Sequence, residues 1–284
     1  MARMTSMSGA RLIGAGLAGL GGALAWPLGS WHGPRMRAEL ASRAAPVYRL
    51  QTAHGPLAFR CTSAEAVKAA ARFVYDEPET VWWIDQVVQA SDCVWDVGAN
   101  VGLYALYAAL RLGDGGEVCA FEPGADNYAA LTRNVALNPT AATVNCFCVA
   151  LSDETRAAAL HLTSQDAGRA AHVFGRAEEG LTAEARPHTQ TALGFSADAF
   201  IEAFGVRAPD HVKIDVDSIE ERIVRGGAKA FASAKSLIVE INIGESGAGH
   251  KESLRKAIAD LGFTEHAETS ARFPDRRNRI FVRD

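Results

Sequence analysis

The stretch from Val94 to Tyr104 constrains the fold of this chain more than any other part of the sequence. It reads Val-Trp-Asp-Val-Gly-Ala-Asn-Val-Gly-Leu-Tyr, so an apolar run meets an acid, a turn with two glycines and then the start of a second apolar segment. Gly98 and Gly102 suit a backbone that adopts a positive φ or passes close to a ligand, because glycine has no Cβ. The stretch therefore predicts a strand, a tight turn and a helix whose first N–H groups face a ligand crevice.

The spacing of the glycines distinguishes this turn from the turn of dinucleotide-binding proteins. Here the pattern is Gly-x-x-x-Gly with Asp96 shortly before Gly98, whereas the dinucleotide fingerprint is Gly-x-Gly-x-x-Gly. A nicotinamide-dependent oxidoreductase would share the same kind of sheet. It stays a minor alternative, because the sequence lacks the turn that such an enzyme needs.

Acidic residues end two other apolar segments of the chain. Glu122 closes a short apolar segment and lies about 20 residues after Gly102, the offset at which a carboxylate meets ribose hydroxyls in nucleotide-binding sheets. Asp215 and Asp217 follow the alternating segment that starts at His211. Because the carboxyl ends of the parallel strands in an open α/β sheet face one crevice, we expect these acids beside the glycine turn.

Strand and helix patterns alternate along most of the chain, which predicts an α/β fold with a doubly wound, mostly parallel sheet. We predict an apolar N-terminal segment over residues 1–30, an N-terminal extension with helices over 31–90, and a ligand-binding domain over 91–284. The pattern loosens at about 154–205, where we predict an insertion. We expect the loops of this insertion to select the substrate, because loops on a rigid sheet carry specificity.

Several segments in and around the insertion have patterns typical of regular structure. Val144–Leu151 indicates one strand, and Ala157–Leu162 with His188–Leu193 indicates a strand pair. Farther along the chain, Ile219–Phe231 is predicted to form a helix.

The composition argues against several other classes of protein. A formal net charge of −4 without a local basic stripe provides no electrostatic basis for binding nucleic acid. Five cysteines without a C-x-x-C pair do not indicate a disulfide or zinc framework. His, Cys and Asp residues do not occur at the spacing of a metal site, so we expect no metal.

Several motifs in a fixed order resemble those of the FkbM-type methyltransferases, a branch of the class I enzymes that use S-adenosylmethionine. The similarity covers roughly residues 75–243. The motifs are Glu77-Pro78-Glu79-Thr80, the segment Asp96–Gly102, Phe121-Glu122-Pro123, Asn134 with Leu137-Asn138, Ala150-Leu151-Ser152-Asp153 and Lys213-Ile214-Asp215-Val216. The resemblance implies a Rossmann-like, seven-stranded sheet with a reversed last strand. It also implies an S-adenosylmethionine-dependent methyltransferase that methylates a hydroxyl group of a small molecule, a sugar or a lipid.

The same resemblance implies a binding site for S-adenosylmethionine. The glycine turn with Asp96 would lie near the methionine end, Glu122 at the ribose, and residues 151–153 near the adenine. The strand end around Asp215 would flank the methyl group. The donor-binding residues implied in this way are Glu77, Asp96, Gly98, Ala99, Asn100, Gly102, Glu122, Pro123, Leu151, Ser152, Asp153, Lys213 and Asp215.

Methylation of a hydroxyl group needs a base that accepts the hydroxyl proton. The candidate bases are Asp215, Asp217, Glu220 and a histidine of the insertion such as His188. In the family the strand end usually reads Lys-Ile-Asp-Val-Glu-Gly-x-Glu, but this chain has Asp217 and Ser218 at the Glu-Gly pair. The shorter acid and the added Cβ leave a non-catalytic, methyltransferase-like binding domain as the alternative interpretation.

The segment from Leu12 to Leu28 is uncharged and rich in Gly, Ala and Leu, and Arg3 and Arg11 precede it. Such a segment fits a signal anchor or another membrane contact, a disordered or wrongly assigned start, or a signal peptide for export. S-Adenosylmethionine is a cytosolic metabolite. We therefore expect a cytoplasmic protein, attached to the inner face of a membrane if residues 12–28 contact lipid.

Overall fold

The structure of the chain is a computed structural model that describes residues 2–170, 172–175, 188–241 and 248–283. It has two compact units, Met1–Pro46 and Val47–Asp284. The first unit contains α1 (Ala2–Ala25), a 3₁₀ turn (Trp26–Leu28) and α2 (Gly29–Ala44).

The two helices of the first unit pack against each other through small residues. A Cβ at Gly33 would lie 2.6 Å from the carbonyl oxygen of Ala25, so glycine is needed where α2 passes this part of α1. In the described parts of the chain, no helix combines the length and the apolar character that crossing a membrane requires.

The second unit begins with an antiparallel hairpin and two helices. The hairpin consists of β1 (Val47–Thr52) and β2 (Gly55–Arg60), and the helices are α3 (Ala64–Asp76) and α4 (Pro78–Gln86). Ser63 begins α3, because its side-chain oxygen accepts a hydrogen bond from the Ala66 N–H at 3.0 Å.

Strands and helices then alternate, as the sequence pattern predicts. In chain order the elements are β3 (Cys93–Val97), α5 (Leu103–Leu112), β4 (Glu117–Phe121), α6 (Ala125–Leu137), β5 (Thr143–Phe147), β6 (Ala150–Ser152), β7 (Arg156–Leu162), β8 (Val173–Phe174), β9 (His188–Ser196), α7 (Ala197–Phe204), β10 (His211–Ile214), α8 (Glu220–Gly226), β11 (Ser236–Glu240), α9 (Ala248–Asp260), β12 (Thr264–Glu265), α10 (Ala267–Arg272) and β13 (Asn278–Val282).

The main sheet has seven strands in the order β12-β13-β11-β10-β3-β4-β5. The five strands from β11 to β5 are parallel, and β13 is antiparallel to both of its neighbours. This sheet confirms the predicted fold class, including the reversed last strand. From β3 the chain adds β4 and β5 on one side and later β10 on the other. The topological switch point therefore lies between β3 and β10, where ligands bind in sheets of this kind.

The insertion forms a second sheet in the order β6-β9-β7-β8. β7 and β9 are antiparallel, with Ala157 opposite Leu193 and Leu162 opposite His188, which confirms the predicted strand pair. β6 runs parallel to β9 and connects this sheet to the end of the third parallel strand.

The prediction of one strand from Val144 to Leu151 is wrong. β5 ends at Phe147 and pairs with β4, whereas β6 begins at Ala150 and pairs with β9. Phe147 and Leu151 nevertheless belong to the same apolar core. The sequence is therefore apolar across the break, and only the distant pairing partners separate the two strands.

The predicted helix from Ile219 to Phe231 is too long, because α8 ends at Gly226. A Cβ at Gly226 would overlap the carbonyl oxygen of Ser152, so glycine is needed at this contact. Gly227 follows directly, and two successive glycines are a poor continuation for a helix.

Two buried asparagines at the end of α6 hold the hairpin strand β2 in place. Asn138 accepts a hydrogen bond from the Ala58 N–H at 2.8 Å and donates one to the Ala58 carbonyl at 2.7 Å. Asn134 accepts from the Arg60 N–H at 2.9 Å and donates to the Val101 carbonyl at 2.9 Å. The Asn134 and Leu137-Asn138 motif thus joins the hairpin to the turn that precedes α5.

Candidate active site

The turn between β3 and α5 requires both of its glycines. Gly98 has φ 85° and Gly102 has φ 90°, which is the left-handed region that favours glycine. A Cβ at Gly98 would overlap the carbonyl oxygen of Asp215. The turn therefore lies directly against the end of β10, at the switch point of the sheet.

Glu122 lies at the end of the neighbouring strand β4 and reaches back to the same turn. Its Oε2 accepts a hydrogen bond from the Asn100 N–H at 2.9 Å, and its Oε1 accepts one from the Gly124 N–H at 2.7 Å. Burial raises the pKa of Glu122 to about 7, although these two N–H groups oppose the shift. Each carboxylate oxygen keeps a second lone pair for a hydroxyl donor.

A buried lysine connects the ends of β3 and β10. The ammonium group of Lys213 lies 2.7 Å from Asp215 Oδ2 and 3.6 Å from Asp96 Oδ1, and 5.1 Å from the ring centroid of Tyr104. Burial alone would lower the pKa of Lys213, but Asp215, Asp96 and then Glu77 hold it above its ordinary value. The lysine is therefore a fixed positive charge among carboxylates.

Glu77 approaches the same group of charges from the start of α4. Its Oε2 accepts hydrogen bonds from Thr80 Oγ1 at 2.8 Å and from Asn278 Nδ2 at 3.0 Å. Burial and the charge of Asp215 raise the pKa of Glu77 to about 8, against the opposing effect of Lys213. The Glu77 carboxyl group is therefore easier to protonate than an ordinary glutamate side chain.

A cavity of about 490 Å³ opens at the carboxyl ends of β3, β4 and β10. This volume lies within the range of about 300–1,000 Å³ that is typical of small-molecule sites. The predicted site residues that line it are Glu77, Gly98, Ala99, Asn100, Glu122, Pro123, Leu151, Lys213, Asp215 and Asp217. The structure therefore brings residues from five of the six predicted motifs around one space.

Other predicted donor-binding residues lie near this cavity but do not line it. Asp96 is buried behind Lys213, and Gly102 precedes the first turn of α5. Ser152 is fully buried and donates a hydrogen bond to Asp153, which in turn accepts two from Arg222. Partial burial alone would raise the pKa of Asp153, but the Arg222 guanidinium lowers it below its ordinary value.

Only some of the candidate bases line the cavity. Asp215 and Asp217 line the cavity, whereas Glu220 is buried at the start of α8 and accepts a hydrogen bond from the Ser218 N–H at 3.3 Å. His188 is exposed at the start of β9 and does not line the cavity.

Ser218 stands at the position where the family usually has glycine, and its backbone has φ 76°. This left-handed conformation costs a residue with a Cβ about 1–2 kcal/mol. The loop therefore keeps the shape that glycine would allow, and it places Asp217 on the cavity wall despite the substitution.

Several further cavity residues lie outside the motifs that the sequence analysis used. They are Phe73, Tyr104, Asn127, Arg169, His172, Glu240 and Arg277. Glu240 ends β11, and Arg277 immediately precedes the antiparallel β13, so the rule on strand ends could have found both once the strand order was known. His172 and Arg169 come from the insertion. His172 is one of the insertion histidines from which a base was predicted, whereas no role was predicted for Arg169.

Glu240 and Arg277 form a pair on the β11 side of the cavity. Arg277 Nη1 lies 3.5 Å from Glu240 Oε1. Burial, followed by the negative charges of Asp215 and Asp217, raises the pKa of Glu240 to about 7. Its carboxyl group can therefore exchange a proton near neutral pH.

Among the described residues that line the cavity, Asn100 Oδ1 is buried without a hydrogen-bond partner. A buried acceptor of this kind fits a ligand that brings a hydrogen-bond donor or a positive charge. Both carboxylate oxygens of Asp96 also lack a hydrogen-bond partner, but they face Lys213 and do not line the cavity. No group of three or more His, Cys, Asp or Glu side chains suited to a metal ion occurs among the residues that the structure describes.

A family model and a curated relative match this chain. The model, described as the methyltransferase FkbM domain, matches residues 96–265. The relative is the hexuronic acid methyltransferase AglP of Haloferax volcanii, which is 28% identical over 194 residues, or 64% of this chain and 74% of the relative. The family model thus matches the chain from Asp96, the acid of the glycine turn, to Glu265 at the end of the edge strand β12.

Two solved structures are more distant. Methyltransferase FkbM from Methylobacillus flagellatus KT is 14% identical, with a TM-score of 0.41 over 69% of this chain, and the match spans only 45% of that structure. Fibrillarin from Aeropyrum pernix, solved with natively bound S-adenosyl-L-methionine, is 10% identical. Its TM-score is 0.45, and the match covers 84% of this chain and 81% of the fibrillarin chain.

Proposed function

The chain belongs to the FkbM methyltransferase family, and on this basis we propose that it transfers a methyl group from S-adenosylmethionine to a hydroxyl group of a sugar. The observation that carries the proposal is the cavity at the switch point between β3 and β10. It combines the glycine turn, the Glu122 carboxylate and the Lys213–Asp215 pair in one small-molecule site.

The residues of this cavity fit the methyl donor. Glu122 offers two acceptor oxygens to the vicinal hydroxyls of a ribose, and the hydrogen bonds from Asn100 and Gly124 fix their direction. Asn100 Oδ1 and the Asp215 carboxylate suit the positively charged amino group at the methionine end of the donor. Leu151 and Leu160 provide apolar surface for the adenine.

A sugar acceptor with a carboxylate fits other side chains of the cavity wall. Arg169, His172 and Arg277 line it and supply groups that bind carboxylates through charged hydrogen bonds. The curated relative is named as a hexuronic acid methyltransferase. We therefore extend the proposal from sugars in general to uronic acids.

The donor supplies a methyl group on a sulfonium, which is already a good leaving group. The protein then needs to orient the hydroxyl oxygen, exclude water and accept one proton. Asp215, Asp217 and Glu240 are the carboxylates on the cavity wall beside β10 and β11. Burial and the neighbouring carboxylates raise the pKa of Glu240 to about 7, which suits a group that accepts a proton and releases it in each turnover.

Calorimetric titration of the full chain with S-adenosylmethionine and with NAD tests the donor. We expect binding of S-adenosylmethionine alone, with a loss of at least about tenfold in Glu122→Gln, since a neutral amide is a weaker acceptor. Glu202→Gln on the exposed face of α7 is the matched control. Binding of NAD instead, or equal affinity of Glu122→Gln and the control, would refute the proposed donor site.

Transfer of a labelled methyl group to glucuronic acid, to glucose and to a long-chain alcohol tests the acceptor. The proposal expects label on the uronic acid above all. Donor binding without transfer to any hydroxyl compound would favour the alternative, a non-catalytic methyltransferase-like domain.

A further inference from the structure

The first unit of the chain exposes large apolar side chains in a regular pattern. Ile13, Leu17, Leu20 and Leu24 of α1 are 66%, 61%, 62% and 70% exposed. Their spacing of four, three and four residues places them on one face of the helix. A stripe of this kind is normally covered by a partner, because single exposed apolar residues are common but aligned ones are not.

Two exposed tryptophans lie at and just after the turn between the helices. Trp26 is 88% exposed in the 3₁₀ turn, and Trp31 is 72% exposed at the start of α2. Tryptophan is enriched at the boundary between membrane and water, where the ring contacts acyl chains and the indole N–H contacts head groups. The tip of the helix pair therefore has the chemistry of an interfacial anchor.

The charge of this unit complements an anionic surface. Residues 1–46 contain five arginines and one glutamate, whereas the whole chain has a formal net charge of −4, so the remainder is strongly acidic. Arg35 and Arg37 are exposed on α2 shortly after Trp31, and Arg43 pairs only weakly at the surface with Glu39 at 3.5 Å. The positive charge is thus concentrated in the same unit as the exposed apolar stripe.

We propose that residues 13–43 form a docking surface for an anionic lipid bilayer, with the α1 stripe, Trp26 and Trp31 in the interface and Arg35 and Arg37 at the head groups. The combination of an exposed apolar face, aromatic residues and an excess of arginines over acids is the pattern of helices that lie in a membrane interface. This inference concerns the first unit alone and does not depend on the proposed methyl transfer.

Sedimentation of the full chain with vesicles tests the proposal. One set of vesicles contains phosphatidylcholine alone, and in the other set phosphatidylglycerol replaces part of it. We expect binding to the anionic vesicles that falls as salt is added, and much weaker binding to the neutral ones. Equal binding to both sets, or binding to neither, would refute the docking surface.

Substitutions separate the apolar contribution from the charged one. Arg35→Gln with Arg37→Gln should weaken binding to anionic vesicles about 25-fold, since each arginine near such a surface contributes about a fivefold factor. Arg133→Gln is the matched control, because Arg133 is an exposed residue of α6 outside the proposed surface, and this variant should bind like the unmodified chain. The double substitution Trp26→Ser and Trp31→Ser should weaken binding to both sets of vesicles. Tyr75→Ser is its control, because this substitution also removes an exposed aromatic ring.

Two other occupants of the surface would give different results. If the stripe instead joins two copies of the chain, ultracentrifugation without lipid will show a dimer that the tryptophan substitutions dissociate. If α1 instead spans the bilayer, alkaline carbonate will leave the chain in the membrane pellet. Either result, like unchanged vesicle binding by the tryptophan variant, would overturn the proposal.

Discussion

Replacing Lys213 by methionine tests how the buried charges of the site are held together. The lysine is 3% exposed and neutralises Asp215 at 2.7 Å and Asp96 at 3.6 Å, while Glu77 faces the same group. Methionine retains much of the apolar volume and removes only the charge and its hydrogen bonds. The substitution therefore leaves carboxylates of like charge without a counterion in a buried place.

The expected loss of stability at neutral pH is about 3–5 kcal/mol, the range for removing one partner of a buried ion pair. The loss should depend on pH in a defined direction. Burial raises the pKa values of Asp96 and Glu77 above their ordinary values, and without the lysine both rise further. A carboxyl group with a raised folded-state pKa stabilises the fold at low pH and loses that contribution as pH rises through the raised value.

The deficit of the variant should therefore be smallest at acidic pH, where these carboxyl groups are protonated in both proteins, and should still be growing above about pH 8, the raised pKa of Glu77 in the unmodified protein. Urea unfolding at several pH values measures the difference in the free energy of unfolding. Lys256→Met is the control, because this lysine is 70% exposed and pairs with Asp260 at the surface. A deficit below about 1 kcal/mol, or one that grows as pH falls, would refute the assignment of Lys213 as the buried counterion.

Three further substitutions test separate parts of the structure. Ser218→Gly should raise the free energy of unfolding by about 0.5–1 kcal/mol, because glycine adopts φ 76° without a Cβ clash, and a lower melting temperature would contradict this. Glu240→Gln should lower kcat about 100-fold with unchanged donor affinity. It should also remove the rise in rate as pH increases through about 7, where the carboxylate becomes able to accept a proton; an unchanged pH–rate profile would exclude Glu240 as the base. Asn134→Ala should lower the free energy of unfolding by about 2–4 kcal/mol, measured with urea, because the Arg60 N–H and the Val101 carbonyl lose their hydrogen bonds. An unchanged free energy of unfolding would show that water replaces the side chain.

The fold class was predictable because periodicity and strand ends are local properties of the sequence. Apolar strands alternate with amphipathic helices, and the acids at positions 96, 122 and 215 follow or end those strands. A parallel sheet with a switch point then places the strand ends at one edge, whatever the details of packing. The position of the cavity could therefore be predicted before any contact was known.

Several features of the site could not be predicted in this way. Glu240 and Arg277 lie 37 residues apart in sequence and meet at the cavity only because β11 and β13 are neighbours. His172 enters from the second sheet, whereas His188, the histidine considered as a base, is exposed and away from the cavity wall. Contacts of this kind depend on which strands are neighbours in the sheet and on how the insertion packs against it, and neither has a local signal in the sequence.

The sequence by itself determined the alternation of strands and helices in the main sheet, the glycines of the turn after β3 and the carboxylates near the strand ends. These follow from side-chain periodicity and from the conformational freedom of glycine, which act within a few residues. Only the tertiary structure decided that Asp96 lies behind Lys213, that Ser152 packs against Gly226, and that Glu240 joins the cavity. These relations arise from packing between elements far apart in the chain, where burial and neighbouring charge, rather than residue type, set what each group can do.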